Sequence, residues 1–389
     1  MSQSHHPHHE ILEVPTYQEK LKTELLTVNM GPQHPATHGV LRVEIKTDGE
    51  VVASAIPHIG YLHRCMEKHS EAIDYRGVIP FCDRMDYLAA MNMELGYCMT
   101  VERLAGLEVP RRAEFIRVIC AELNRIASHL LFFGTYAIDL GAFTPFLYAF
   151  SEREKILRLF EEMSGARLLY NYIWIGGVWN DLTEGQLETI SEFIDHFEGE
   201  VDKYHTLVGL NEIFLRRTAN VGIIPADRAL SYGASGPVLR GSGVAWDLRK
   251  TDGYSIYKEF EFDVPVGTGE RGTLGDCWDR YHVRMKEFKE SCKILRQAVK
   301  MIPEGPVMGK VSKVLKPEAG EIYMRTESAR GEIGYHLIAD GTKNPYRLKV
   351  KSPSFTHTSL ITEFAPGMMV ADLVAFIGSI DIVLGEVDR

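Results

Sequence analysis

No two of the six cysteines form a C-x-x-C pair: Cys65, Cys82, Cys98, Cys120, Cys277 and Cys292 are scattered through 389 residues. A self-contained iron-sulfur cluster or structural zinc site needs closely spaced thiolates, so the chain is expected to hold neither. Scattered thiols without a secretory leader fit a reducing compartment. Positive charge is also short. The formal net charge of −10 argues against the basic footprint of a nucleic-acid binder. Long apolar runs are missing too: the best, Ile126 to Phe150, is interrupted by His129 and Asp139 and falls short of the roughly 20 residues that a bilayer crossing requires. Work at a membrane would need a partner.

What is present suits a globular protein, since 45% hydrophobic residues suffice for sizeable cores in two or three domains. The start, "MSQSHHPHHE", reads as a His-rich flexible tail. From Leu25 to Ile56, "VLRVEI" and "VVASAI" flank a "DG" turn and predict a hairpin. From Cys82 to Met301 the period is helical. In "RAEFIRVICAELNRIASHLLFF", Phe115, Ile119, Leu123, Ile126 and Leu130 mark one buried face, and four further stretches behave alike. Five amphipathic helices imply a bundle. Between Val221 and Thr273 lies a Gly-rich insertion whose "GTGERG" lacks the strand-turn-helix setting and "GK[ST]" of a phosphate loop. After Gly305, "GEIYMRTESARGEIGYHLIADG" and "PYRLKVKSP" read as a β-meander, and "MMVADLVAFIGSIDIVLGEVDR" as a buried helix reaching the last residues. The organisation is thus α+β: a tail over 1–24, an N-terminal α/β part over 25–80, a helical bundle with its insertion over 81–304, and a meander with terminal helix over 305–389.

Candidate chemistry begins at "GPQHPATHG". Pro32 and Pro35 fix φ, and Pro35 turns His34 away from helical angles, so this is a rigid turn rather than a helical metal pair. His38 would project from a strand entrance, either as a functional ring or as a turn brace, and His34 reads as a brace. Asp86 and Tyr87 would begin a helix, where a Tyr is either a packed ring or a site residue. Asp139 is the one acid in "FFGTYAIDLGAFTPF"; buried, it needs a His or Arg partner. His129, at helical spacing from Glu122 and Arg125, reads as a solvated or inter-helix polar face.

The stretches "MGPQHPATHGVLR", "PHIGYLHR", "DRMDYL", "ASHLLFFGTYAIDLGAFTPFLYAF", "NYIWIGGV", "RTESARGEIGYHL" and "GEVDR" together resemble the 49-kilodalton, or D, subunit family of NADH:quinone oxidoreductase, respiratory complex I. The resemblance runs in order from about Leu25 to Arg389. It implies a fold related to the large subunit of nickel-iron hydrogenases, whose metal-holding C-x-x-C pairs are missing here, so no metal is expected on this chain. It further implies that His38 and Tyr87 hold the two carbonyl oxygens of a quinone headgroup and that Asp139 pairs with His38. Arg64 matches a family arginine near the iron-sulfur cluster of a small partner subunit, and Arg84 either lies near it or serves an interface salt bridge. Other implied partners are a 30-kilodalton-type subunit, a ferredoxin-like subunit and a membrane subunit lining the quinone tunnel. The expected place is the cytoplasmic face of the inner membrane, peripherally. Cys65, where the family commonly has Gly, and Ile382, where it commonly has Pro, are departures. A hydrogenase-related complex with another electron donor, or a non-catalytic scaffold, are the rival readings.

Overall fold

The computed structural model describes residues 24–389, so the reading of the His-rich start lies outside the described residues. The first sheet joins strands β1 (Leu26–Met30), β2 (Arg42–Asp48) and β3 (Val51–His58) in antiparallel order. The expected hairpin is β2–β3, closed by the Asp48–Val51 pair around Gly49, which takes a positive φ of 60°. Val43, Ile45 and Thr47 alternate inward, as a half-buried strand requires.

Five long helices follow: α1 (Ala90–Ala105), α2 (Arg111–Asp139), α3 (Thr144–Ser164), α4 (Glu184–Tyr204) and α5 (Cys277–Met301). In α4, Ile190, Phe193, Ile194, Phe197 and Val201 are buried at steps of three and four, the stripe of an outer bundle helix. Its start is fixed by a capping box in which Gln186 N–H donates to Thr183 Oγ1 at 3.2 Å and Thr183 N–H to Gln186 Oε1 at 2.9 Å. Helix α2 departs from the expectation of one buried face. It is the central helix, packed against α1, α3 and α5 and buried on every side through most of its length. Its polar side chains are therefore paired within the protein: Glu122 sits 3.3 Å from Arg125 and 3.1 Å from Arg249, and accepts from the hydroxyls of Tyr257 and Ser291 at 2.7 Å. Burial opposes that charge, yet the two guanidiniums hold the Glu122 carboxyl down at about 2. The polar face predicted around His129 is thus an inter-helix one, not a solvated one.

Two short strands, β4 (Ile173–Trp174) and β5 (Gly177–Val178), pair beside the bundle. The Gly-rich insertion carries only short helices such as Gly236–Gly241. The amides of its "GTGERGTLG" loop are taken by this chain: Thr268, Gly269 and Gly275 N–H all donate to the Asp279 carboxylate at 3.1 to 3.3 Å. Those three amides are therefore not available to a phosphate. The meander forms as strands β6 (Gly320–Ser328), β7 (Gly331–Ala339) and β8 (Arg347–Lys351), with β6 packed on α1. Ala329 and Arg330 alone turn the β6–β7 hairpin.

The chain ends in helices α6 (Pro353–Phe364), α7 (Val370–Ile380) and α8 (Leu384–Asp388). The single terminal helix expected from the sequence is thus broken between α7 and α8. Asp381 takes the left-handed conformation at φ 50°, which Asp tolerates better than most residues, and its carboxylate turns to Arg330 at 3.4 Å. A second apolar cluster joins the β1–β3 sheet to these last helices through Leu41, Val43, Ile45, Leu373, Phe376, Ile377 and Leu384. The two ends of the described chain therefore share one core. No helix among the described residues is long and apolar enough to cross a membrane.

Candidate functional site

A cavity of about 330 Å³ opens where the N-terminal turn, the end of α2 and the α7–α8 break meet, lined by Pro35, His38, Tyr87, Leu88, Leu131, Thr135, Ile138, Asp139, Asp381, Ile382 and Val383. Each polar group arrives by a distinct local device. Pro35–Thr37 forms one turn of 3-10 helix, and the Thr37 hydroxyl donates to His34 O at 2.8 Å. His34 Nδ1 accepts from Ala36 N–H at 3.2 Å, so His34 is the brace the sequence suggested. The turn ends in His38 at φ 49°, a left-handed position that throws its ring out of the strand path and over the cavity. There Nε2 of His38 is hydrogen-bonded to Asp139 Oδ2, the partner a lone acid in an apolar run demanded. Helix α2 stops at Asp139 because Gly141 takes φ 90° just beyond it.

Burial disfavours a charged His38, but the hydrogen bond and charge of Asp139, with the charge of Asp381, outweigh it and lift the imidazole above its ordinary 6.5. Asp139 thus favours the protonated form of the ring.

Asp86 and Tyr87 do not begin a helix. Asp86 accepts from the N–H groups of Leu88 and Ala89 at 3.1 and 3.3 Å, a local turn that competes with helix formation, and α1 starts at Ala90. That turn leaves Tyr87 half-buried on the cavity wall. Burial, then the neighbouring Asp86, pushes its hydroxyl above 10, so it stays protonated.

The floor beneath was not foreseen. Arg330, carried in by the two-residue hairpin turn, is fully buried; its Nη1 donates to Asp86 at 2.7 Å and Ser128 Oγ at 3.1 Å, and its Nη2 to Asp381 at 3.4 Å. Arg284 Nε lies 3.8 Å from the other Asp381 oxygen. Asp381 carries the same signal that flagged Asp139, one acid in the apolar run "AFIGSIDIVLG". Arg330 carries none, since "SARGE" reads as an ordinary turn.

Arg64 and Arg84 lie outside the cavity. Both are exposed and adjacent: Arg64 Nη2 donates to Arg84 O and Arg84 Nη1 to Pro80 O, each at 2.7 Å. Neither has a carboxylate partner among the described residues. The cysteines are buried except Cys65, and no group of three or more His, Cys, Asp or Glu among the described residues could hold a metal ion. A larger hollow of about 510 Å³ between Lys250 and Arg296 is a surface depression where Lys293 pairs with Glu290 at 2.7 Å and Arg296 with Glu198 and Asp195 at 2.9 Å. The 330 Å³ cavity instead brings together an imidazole held by a carboxylate, a phenol and apolar walls, suited to a flat ring with two oxygen acceptors.

The chain matches the family model described as respiratory-chain NADH dehydrogenase, 49 Kd subunit, over residues 139–319 and 310–389. It is 54% identical over 378 residues to the D subunit of the NADH-quinone oxidoreductase of Chlorobaculum tepidum, covering 96% of this chain and 94% of that protein. To the first D-type subunit of the NADH-quinone oxidoreductase of Cytophaga hutchinsonii it is 52% identical over 379 residues, 95% of this chain and 97% of that one.

Proposed function

Because the chain belongs to the family of the 49 kDa subunit of respiratory-chain NADH dehydrogenase, we propose that its cavity seats the headgroup of a quinone, reduced there to quinol within an NADH-quinone oxidoreductase. The observation that carries this is the convergence of His38, paired with Asp139, and Tyr87 on one cavity with apolar walls. Reducing a quinone takes two electrons and two protons, one proton to each oxygen. The His38 imidazolium supplies one readily. The Tyr87 hydroxyl first donates a hydrogen bond, then gives up its proton once the added electrons make the second oxygen strongly basic. Leu131, Thr135 and Ile138 on α2 form the less polar side along which the rest of the quinone would lie.

The sequence has no C-x-x-C pair to hold a cluster, and the family resemblance puts the electron donor in an iron-sulfur cluster on a small partner protein seated at the Arg64–Arg84 surface, where two cations with no carboxylate partner among the described residues would favour the reduced cluster. The 30-kilodalton-type and ferredoxin-like subunits are further neighbours, and a membrane subunit completes the open side of the cavity. The chain would thus sit peripherally on the cytoplasmic face of the inner membrane. Loss of the His38 proton strands the Asp139 carboxylate, and relief of that charge is the step that could drive ion pumping elsewhere in the complex.

Tyr87→Phe tests the reading. In assembled membranes, transfer from the donor to quinone should collapse while transfer to an artificial acceptor upstream survives. If both persist, the cavity is not the quinone site and the scaffold reading replaces it.

A further inference from the structure

Helix α2 is enclosed along most of its length, and where it is not, it faces the cavity. Between Phe115 and Ala137 only Leu131 and Thr135 are less than buried. With Ile138 they stand at steps of four and three, one face of a helix, and all three line the cavity. Leu88 from the Tyr87 turn, and Ile382 and Val383 from the α7–α8 break, add three more aliphatic side chains. The polar groups divide unequally. Thr135 has spent its one hydroxyl hydrogen on its own helix, at 2.9 Å from Leu131 O and 3.3 Å from Phe132 O, so it has only lone pairs to offer a ligand. Asp139 and Asp381 are carboxylates, which accept. The backbone N–H groups of His38 and Asp381 donate to Pro35 O and Gly378 O, each at 3.2 Å, and those of Leu88 and Val383 to Asp86 Oδ1 and Ser354 Oγ, each at 3.1 Å. His38 and Tyr87 are thus the two side-chain donors among the residues that line the cavity.

We propose that this wall selects quinones by ring class: it takes a ring that carries only hydrocarbon beyond its two carbonyls, a naphthoquinone, and disfavours a dimethoxybenzoquinone. The selection rests on the quinone reading above. With both donors committed to the carbonyl oxygens, a methoxy oxygen placed against this wall leaves water without a replacement partner, and Thr135, Asp139 and Asp381 offer it only lone pairs. Burying an acceptor unpaired is unfavourable. A fused apolar ring gives up no hydrogen bond there, and it takes apolar surface of Leu131, Ile138 and Ile382 out of water. Leu131 and Ile138 are then specificity determinants that act on binding rather than on electron or proton transfer, so the difference falls on KM.

The test compares two quinones in membranes holding the assembled complex, a methylnaphthoquinone and a dimethoxymethylbenzoquinone with the same isoprenoid chain, each concentration counted in the lipid. The benzoquinone is the stronger oxidant, so driving force alone favours it. KM should nevertheless be lower for the naphthoquinone by about tenfold. An equal KM, or a lower one for the benzoquinone, overturns the proposal. Because a membrane subunit completes the cavity, Leu131→Gln ties the preference to this wall. An amide donor at that half-buried position should lower KM for the benzoquinone, raise it for the naphthoquinone and shrink the ratio by about threefold or more; a ratio unmoved in the assembled variant overturns the proposal. If that variant fails to assemble, Ile138→Gln serves the same comparison. Tyr87→Phe separates the two levels. Reduction of both quinones at the wild-type rate in that variant sinks the quinone site itself, whereas loss of both beside equal KM values in the wild type sinks only the ring selection.

Discussion

Arg330→Met should destabilise the fold chiefly by stranding carboxylates rather than by losing packing. The guanidinium is fully buried and bridges Asp86 at 2.7 Å and Asp381 at 3.4 Å. Removing one partner of a buried pair typically costs about 3–5 kcal/mol, because the remaining charge is left without compensation. Unfolding entropy of about 2.1 cal/mol/K per residue, over 389 residues, makes each degree of Tm worth roughly 0.8 kcal/mol, so calorimetry should show a fall of roughly 4–6 °C. The cause can be separated from the size. Asp86→Asn keeps the oxygen that accepts from Leu88 and Ala89 but discards the charge, so adding it to Arg330→Met should return part of the loss. A double-mutant cycle should then show coupling above about 1 kcal/mol. If the two losses simply add, within about 0.5 kcal/mol, the stranded-charge argument is wrong and Arg330 matters only for the volume it fills.

Asp139→Asn removes the main upward influences on His38 and leaves burial, which lowers it; a donor imidazolium is lost as pH rises through its pKa, so the pH at which quinone reduction declines should move down in the variant. An unchanged pH profile would dissociate Asp139 from His38. Gly378→Ala places a Cβ 2.7 Å from the Tyr136 ring and 3.0 Å from Asp139 Oδ2; overpacking should cost about 1–3 kcal/mol and push Asp139 off His38, lowering quinone turnover more than upstream transfer. The fully buried imidazole of His357 is pushed down to about 3, mainly by burial and then by Arg284. The unfolded chain therefore binds more protons below about 6.5, and stability should drop as pH falls from there toward 3. Urea midpoints measured from pH 7 to pH 4 should fall more steeply for the wild type than for His357→Gln.

Much of this protein follows from local chemistry. The period-2 and period-3.6 patterns predict the β2–β3 hairpin, the five long helices and the C-terminal meander, because side-chain direction repeats with those periods whatever the rest of the chain does. Asp139 stands out for a similar reason: an acid in an apolar run has to be reconciled with burial, and few partners can do that. The turn at Pro32 and Pro35 follows from φ restriction alone. Three readings failed where distant residues decide. Helix α2 is buried all round, not on one face, since its Glu122 finds Arg249 and Tyr257 from the insertion and its Arg125 donates to Glu327 O and Ser328 O at the β6–β7 hairpin. Asp86 and Tyr87 leave the helix because Asp86 bonds its own backbone and Arg330.

The break at Asp381 has the same origin, for Arg330 reaches it from the β6–β7 hairpin turn. Sequence by itself predicts most element types, shows that the cysteines are scattered, and marks the cavity's acid as an unusual residue. Only the tertiary structure decides that His38, Tyr87 and Asp139 share one cavity, and that Asp86 and Asp381 gather around Arg330 beneath it. Local periodicity carries no information about which ends meet, whereas electrostatic balance in a dry interior is a property of everything that meets there.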